Sequence, residues 1–450
     1  MDNKKLDVLR DNINFLDDKI LDLLKERAEI VTEIGEQKKS YTDVVDYERE
    51  QKVLDRILQS TQTNKYSKDS IVRIWREIFQ ASTKLQEKHK SVINTKRSIN
   101  SINIYKGGVS SLSGKDNIIK LSSNESSYGP SPKVLEKINL QETLSNSHRY
   151  PNIDGANLRD KLASINNLKA NQIVLGCGSD EILMFAALAF CQDGDEIIHA
   201  QYGFEMYSII TKIVGATSKL VKEGENYKVT VTSILDQVKP STKIVYLANP
   251  NNPTGTYLTR NEIVDLLNKL PKSIVLVLDG AYAEYVTKED YDDSFALVEQ
   301  FENLIITRTF SKAYGLAGIR LGWCYSSEKV ASILNKVKGP FNTDSLSQEM
   351  GIIALDDKEY LNKVIKSNQE VKSWFEAELK KINIKTLPSE GNFSFVEMSY
   401  EEAKKIFTHL ANSGIIVRQL DSYGLANCLR ITIGTKEEME LTINALKDLS

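Results

Sequence analysis

The sequence predicts two folds in one chain, an all-α domain of three helices followed by a larger α/β domain. Three observations carry this. The first 90 residues hold one Gly and no Pro, whereas all nine Pro lie beyond residue 103. Apolar residues in the first segment recur at steps of three and four, the period of a helix. Further on, short β-rich apolar runs alternate with helical stretches, the pattern of a buried, mostly parallel sheet.

In the first segment the apolar positions are Leu6, Leu9, Ile13, Leu16, Ile20, Leu23, Ile30 and Ile34. That is a heptad seam. One helix over residues 5–39 would run about 50 Å at 1.5 Å per residue. It is too long to fold back on a core this small, so a partner chain is expected. A second helix fits 46–60, through Val53, Leu54, Ile57 and Leu58. A third fits 68–88, through Ile71, Ile74, Trp75, Ile78, Phe79 and Leu85. Residues 91–103 are polar and aperiodic and read as a linker between a first domain over 1–90 and a second over 104–450. In the second domain the runs IVYL (244–247), IVLVL (274–278) and LII (304–306) read as strands.

Composition narrows the function. At about 150 residues per domain, 450 residues make roughly three domain-sized units. The formal net charge of −3 argues against a nucleic-acid binder. Cys177, Cys191, Cys324 and Cys428 are far apart and form no CxxC pair, and there are four His. Neither a disulfide framework nor a metal site is expected. The polar start MDNKKLDVLRDN and the lack of a long apolar run point to a reduced, cytoplasmic protein without a membrane span.

Charges fall on the helical seam. Arg27 occupies the missing heptad step, Arg10 lies four residues beyond Leu6, and Lys38 lies four beyond Ile34. Ser82 and Gln86 follow Ile78 at helical spacing, and Arg49 and Glu50 flank the face of Val53 and Leu54. Singly, each suits a dimerising helix with snorkelling stems and register-setting polar groups. Together they describe a pocket for a small polyanion, such as a dicarboxylate.

These residues lie in LRDNINFLDDKILDLLKERAEIVTEIGEQK, VVDYERE and IWREIFQASTKLQ, and on them residues 6–86 resemble the all-helical chorismate mutase found at the front of bifunctional aromatic-pathway enzymes. The resemblance implies an intertwined dimer and a pericyclic conversion of chorismate to prephenate with no nucleophile or cofactor. Catalysis there consists of holding a compact conformer and offsetting charge on the ether oxygen. It implies that Arg27 and Arg49 clamp carboxylates and that Arg10 enters from the partner chain. Lys38 and Gln86 would donate to the ether oxygen. Glu50 would bind the substrate hydroxyl, and Asp46 and Ser82 would shape the pocket. The segment from Lys38 to Asp46 is one residue shorter than in some relatives. A helical module that only dimerises or senses a ligand is the alternative.

In the second domain, polar groups follow strands, where open α/β sheets place their sites. IVYLA leads into Asn249-Pro-Asn-Asn252-Pro253-Thr-Gly, IVLVL into Asp279-Gly-Ala-Tyr282, and LIITRTF into Ser311-Lys312 and Arg320. Gly176-Cys-Gly178-Ser179-Asp180-Glu181 opens a helix and is a ready anion site. Singly these are a turn, a helix cap, an N-cap and a solvated lysine. As a set, a phosphate site, carboxylate, phenol, amide and lysine are what pyridoxal phosphate requires.

With KLSSNESSYGPSP, HRYPN, GCGSDEIL, NPNNPTG, LDGAYAEY, TRTFSKAYGLAGIRLGW and CLRITIGT, residues 104–450 resemble a fold-type I aminotransferase of the histidinol-phosphate aminotransferase family. The resemblance implies a large domain plus a small one built from the N-terminal arm and about residues 340–450. It implies pyridoxal 5'-phosphate, with Lys312 as Schiff-base lysine and acid/base for the 1,3-proton shift. Asp279 would pair with the pyridine nitrogen, and Tyr282 and Asn252 with the ring oxygen. Ser179, Asp180, Thr309, Ser311 and Arg320 would hold the phosphate. Phe204 stands where the family stacks a Tyr, keeping the stack without the hydroxyl. Tyr150 would reach the partner subunit's cofactor phosphate, so a homodimer or larger homo-oligomer is implied again. Arg430 would take the substrate α-carboxylate, and Arg418 and Tyr128 its distal end.

A cation at Arg418 suits a phosphate, the side carboxylate of prephenate and that of glutamate alike. The family's Pro after YGL is Ala426, and its YxPG segment reads Tyr105-Lys-Gly-Gly. The fusion favours prephenate or an aromatic 2-oxo acid as acceptor, with glutamate as donor and 2-oxoglutarate as its product. Imidazole-acetol phosphate is the alternative.

Overall fold

The computed structural model describes residues 3–37, 47–60, 65–66, 68–87, 96–102, 104–105, 107–112, 115 and 117–449. It divides into two compact units, Met1–Asn100 and Ser101–Ser450. Among the described residues no helix is long and apolar enough to cross a membrane.

The first unit is helical. α1 spans Asn3–Gln37, α2 Tyr47–Ser60 and α3 Lys68–Glu87. α1 packs along α3, and α2 packs on α3. Among the described residues the buried apolar ones of this unit are Val31, Leu54 and Phe79. The heptad seam itself is not what packs within the chain. Ile13, Leu16, Ile20, Leu23, Ile30 and Ile34 are all exposed, Leu23 at 64%. The contact face is turned by one residue, to Arg27, Val31 and Gly35, because that row meets Phe79, Ser82 and Gln86 of α3. Within the segment read as a linker, Arg97–Asn100 forms one helical turn.

The second unit holds two sheets. The larger has seven strands: β2 (Ile173–Gly176), β3 (Glu196–Ala200), β4 (Thr217–Val221), β5 (Thr242–Ala248), β6 (Val275–Asp279), β7 (Leu304–Thr309) and β8 (Gly322–Ser326). Their order is β2-β8-β7-β6-β5-β3-β4. The strands β3 to β7 pair in parallel, while β8 pairs antiparallel with both β7 and β2. The apolar runs are continuous because both faces are covered. Ile244, Tyr246, Val275, Val277 and Ile305 join the core on one side. Val245, Leu247, Leu276, Leu278 and Ile306 join the core on the other. Each such side chain contributes roughly 1.5–3 kcal/mol by leaving water.

The smaller sheet has the order β1-β11-β12-β10-β9. Its strands are β1 (Ile119–Leu121), β9 (Lys385–Leu387), β10 (Phe393–Glu397), β11 (Ile415–Leu420) and β12 (Leu425–Thr432). β1 comes from the N-terminal arm and pairs in parallel with β11. β11 and β12 are antiparallel, and Arg418 stands directly opposite Arg430. That register aims two guanidinium-bearing residues at one face of the lobe.

Candidate active site

In the second unit a cavity of about 430 Å³ lies beyond the carboxyl ends of β5, β6 and β7. Ser179, Asp180, Phe204, Asn252, Asp279, Tyr282, Thr309, Ser311, Lys312, Arg320, Arg418 and Arg430 all line it. Twelve of the sequence-predicted positions therefore meet in one space.

Asp279 ends β6, the middle strand of the seven-stranded sheet, and is 5% exposed. Burial pushes its carboxyl above the usual carboxylate range, and two hydroxyls oppose this. Tyr207 Oη donates to Oδ2 at 2.8 Å and Thr307 Oγ1 to Oδ1 at 3.0 Å. Both lone-pair directions outside the cavity are thus fixed, and the carboxylate cannot rotate freely. Tyr207 lies three residues into the helix Glu205–Ile213, fully buried, with its ring stacked on Tyr246 at 5.0 Å.

Lys312 follows β7 by three residues, and its Nζ donates to the carbonyl of Ser123 at 3.1 Å. Burial, then the charge of Arg430, pushes the ammonium down to about 8. That shift makes the neutral, nucleophilic amine far more populated near neutral pH than in a free lysine. Tyr282 accepts a hydrogen bond at Oη from Asn124 Nδ2 at 2.9 Å. Arg430 is buried and donates from Nη1 to Asn252 Oδ1 at 2.5 Å and from Nη2 to the Ser122 carbonyl at 2.7 Å. Its Nε is buried with no partner. Burial is the main force lowering the Arg430 pKa.

The phosphate-sized end is built at the helix Ser179–Phe190. Asp180 Oδ1 accepts from Arg320 Nη2 at 2.8 Å, and Arg320 Nη1 donates to Ser311 Oγ at 3.3 Å. Thr309 Oγ1 donates to Ser311 Oγ at 3.0 Å. Gly178 turns the chain with φ +82, and a Cβ there would lie 2.3 Å from both Arg320 Nη2 and Asp180 Oδ1. Asn342 and the amide of Cys177 both bond Glu181 Oε2, at 2.7 and 2.6 Å, which fixes the loop before the helix.

Two positions lie elsewhere. Tyr128 is not among the cavity's lining residues. It packs with Tyr285, Ala313 and Val364, and Tyr360 Oη donates to its carbonyl at 2.6 Å. This apolar cluster lies against the helix Lys358–Lys381. Tyr150 is 81% exposed and stacks on Phe341 at 4.5 Å. Tyr207, Thr307, Asn124, Glu205 and Tyr423 were not singled out in the sequence. Their signals are weak because each acts through a contact with a distant element.

The first unit carries a smaller cluster. Arg27 Nη1 donates to Ser82 Oγ, and Ser82 Oγ to the Ile78 carbonyl at 2.6 Å. Burial lowers the Arg27 pKa, and the nearby Glu50 opposes that. The Gln86 side chain is buried, and its Oε1 has no partner. Gly35 permits this placement, since a Cβ there would lie 2.9 Å from Gln86 Cγ. Arg49 and Glu50 stand in the first turn of α2. Arg10 is exposed and pairs with Asp7 at 3.4 Å. It is about 25 Å along α1 from Arg27, so it does not join that cluster within one chain. Lys38 and Asp46 lie outside the described residues.

Comparison with known proteins matches both units. Residues 116–446 match "Aminotransferase class I and II", and residues 9–87 match "Chorismate mutase type II". A histidinol-phosphate aminotransferase of Paramagnetospirillum magneticum is 42% identical over 347 residues, covering 76% of this chain and 95% of that protein. One from Ruegeria pomeroyi is 39% identical over 349 residues, covering 77% and 95%. Among solved structures, the histidinol-phosphate aminotransferase of Sinorhizobium meliloti in complex with pyridoxal-5'-phosphate aligns with a TM-score of 0.73 and 24% identity. It covers 81% of this chain and 100% of that one. The enzyme of Clostridium acetobutylicum aligns at 0.67 with 22% identity, over 74% and 99%.

Two outcomes follow from this geometry. Gly178→Ala should weaken pyridoxal 5'-phosphate binding at least tenfold, about 1.4 kcal/mol, as read by cofactor titration of apoprotein. Capture of the cofactor by apoprotein should quicken as pH rises and level off above about 8, because the neutral amine of Lys312 is the reactive form and its pKa is lowered to about 8. A midpoint near that of a free lysine would contradict this.

Proposed function

The chain belongs to the class I and II aminotransferases and carries a type II chorismate mutase ahead of that domain, and we propose that the two act on consecutive intermediates. The first domain converts chorismate to prephenate. The second transaminates that product with glutamate, either as prephenate or after its conversion to phenylpyruvate or 4-hydroxyphenylpyruvate. The observation that carries this reading is the fusion itself. A domain whose product is a 2-oxo acid shares a chain with a cavity that three arginines and a reactive lysine line.

The cofactor is pyridoxal 5'-phosphate, and the residues fit it. The Gly178 cradle leaves space where a Cβ would collide, and the donors Ser179, Ser311 and Arg320 line that end. Bound there, the cofactor supplies an electron sink for the pair released when the Cα–H bond of the amino acid breaks. On this reading Asp279 holds a proton on the ring nitrogen. Tyr207 and Thr307 support it by keeping the carboxylate ionised. Tyr282 and Asn252 hold the ring oxygen, and Phe204 covers the ring face. Ser179, Thr309, Ser311, Arg320 and the Asp180 backbone bind the phosphate. Lys312 Nζ would hold the cofactor at its aldehyde carbon and, once the substrate's amine has displaced it there, the freed amine would carry the proton between Cα and that carbon. Arg430 binds the α-carboxylate, for which its Nε is free.

In the mutase, Arg27 and Arg49 bind carboxylates, Lys38 and Gln86 donate to the ether oxygen, and Glu50 binds the hydroxyl. Ser82 and Asp46 shape the pocket. The working unit is a homodimer or a larger assembly. The uncovered seam of α1 and the distance of Arg10 from Arg27 support this, as does the exposure of Tyr150, which would serve the partner's cofactor. The unpaired cysteines suit the cytoplasm.

A second reading, histidinol-phosphate transamination, is favoured by the names of relatives up to 42% identical. An acceptor panel with glutamate as donor separates the two. The kcat/KM for prephenate, phenylpyruvate or 4-hydroxyphenylpyruvate should exceed that for imidazole-acetol phosphate. A preference of 100-fold or more for the latter, about 2.7 kcal/mol, would replace the aromatic reading. Lys38→Ala should lower mutase turnover by about 10²–10³-fold, the usual cost of one donor to developing charge. Unchanged turnover would leave the first domain a dimerising or sensing module.

A further inference from the structure

We propose that Glu205 is a specificity-determining residue that lets one cavity accept both an anionic and a neutral side chain. The inference rests on reading the second domain as a glutamate-dependent aminotransferase.

Arg418 and Arg430 are directly opposed on β11 and β12, and both line the cavity. Like charges opposed across a strand pair repel each other. The two are treated differently by their surroundings. Arg430 rests on neutral oxygens, Asn252 Oδ1 and the Ser122 carbonyl, and forms no ion pair among the described residues. Arg418 faces a carboxylate, with Nη2 3.6 Å from Glu205 Oε2 and side chains 15% and 20% exposed. Glu205 opens the helix whose preceding residue, Phe204, lines the cavity, so its place is tied to the cofactor site. Tyr105 and Tyr423 line the same end.

The consequence is an asymmetric pair of anion sites. Arg430 can be satisfied only from outside, so every substrate must bring an α-carboxylate. Arg418 has an internal counter-ion that an incoming anion can displace. A transaminase uses one cavity for donor and acceptor in turn. When glutamate binds, its side-chain carboxylate competes with Glu205 for Arg418. When a neutral ring binds, the Arg418–Glu205 pair stays closed, and no uncompensated charge is buried against the ring. Without Glu205 the cavity would lose the carboxylate that faces Arg418. It would grip glutamate more tightly and reject neutral rings.

Glu205→Gln in the cofactor-loaded, full-length protein tests this, since it keeps the shape and removes the charge. The two half-reactions are read separately from cofactor absorbance under single turnover, with glutamate and with phenylalanine. The concentration of glutamate for half-maximal rate should fall several-fold, that of phenylalanine should rise, and the ratio should move by at least tenfold. Glu205→Asp, which keeps the charge, should stay within about threefold of the original ratio. A role in packing alone would slow both half-reactions alike, and equal changes would overturn the proposal. If the Gln variant loses its cofactor band, Glu205→Ala is read by the same ratio. The glutamate arm does not involve the acceptor. Tighter glutamate with no turnover of phenylalanine by the unsubstituted protein would therefore uphold the displaceable counter-ion, overturn the acceptance of neutral rings, and leave prephenate as the aromatic-pathway acceptor. Unchanged glutamate binding would overturn the counter-ion whatever the acceptor.

Discussion

A carboxylate buried at the end of a central parallel strand is the constraint around which the second unit is arranged. Asp279 is taken out of water, which raises the cost of its charge. Helix Glu205–Ile213 brings Tyr207 to one oxygen, and β7 brings Thr307 to the other. The adjacent strands are held in register at this point, with Ala248 and Thr307 flanking Asp279. The same register delivers Asn252 and Lys312 to the cavity from the segments that follow β5 and β7. The fold therefore fixes the positions of the buried carboxylate and of the Lys312 amine with one set of strand pairings.

The small lobe adds two arginines to the cavity. Pairing of β11 with β12 sets Arg418 opposite Arg430, and β1 ties the N-terminal arm to the same sheet. Arg430 is buried against the neutral oxygens of Asn252 and Ser122, and its buried Nε has no partner among the described residues. Arg418 is already paired with a carboxylate. The first unit shows the same economy on a smaller scale. Arg27 is held by Ser82, and the unpartnered Gln86 Oε1 sits where Gly35 lets α3 approach α1.

Much of this was legible in the sequence. The three helices fall within two residues of their expected starts and ends over the described residues, because a long 3.6-residue period survives local noise. Polar residues directly after apolar strands were legible because parallel sheets expose those ends. What escaped was the support behind them. Tyr207 and Asp279 are 72 residues apart, and nothing local to either announces the contact. Motif position likewise does not reveal that Tyr128 packs in an apolar cluster with residues of the Lys358–Lys381 helix. The seam of α1 was recognised, but its inner face is Val31, not Ile30 or Ile34. A heptad pattern reports the larger of two faces, and here the larger one is uncovered within a single chain.

The account's central claim is that the product of the first domain feeds the second. The direct measurement supplies the cofactor-loaded protein with chorismate and glutamate alone, and follows 2-oxoglutarate. A parallel arm acidifies the mixture briefly after chorismate is consumed, to aromatise prephenate to phenylpyruvate, then restores fresh enzyme. The account predicts 2-oxoglutarate release that tracks the chorismate consumed in at least one arm. Complete loss of chorismate with no 2-oxoglutarate in either arm would contradict it.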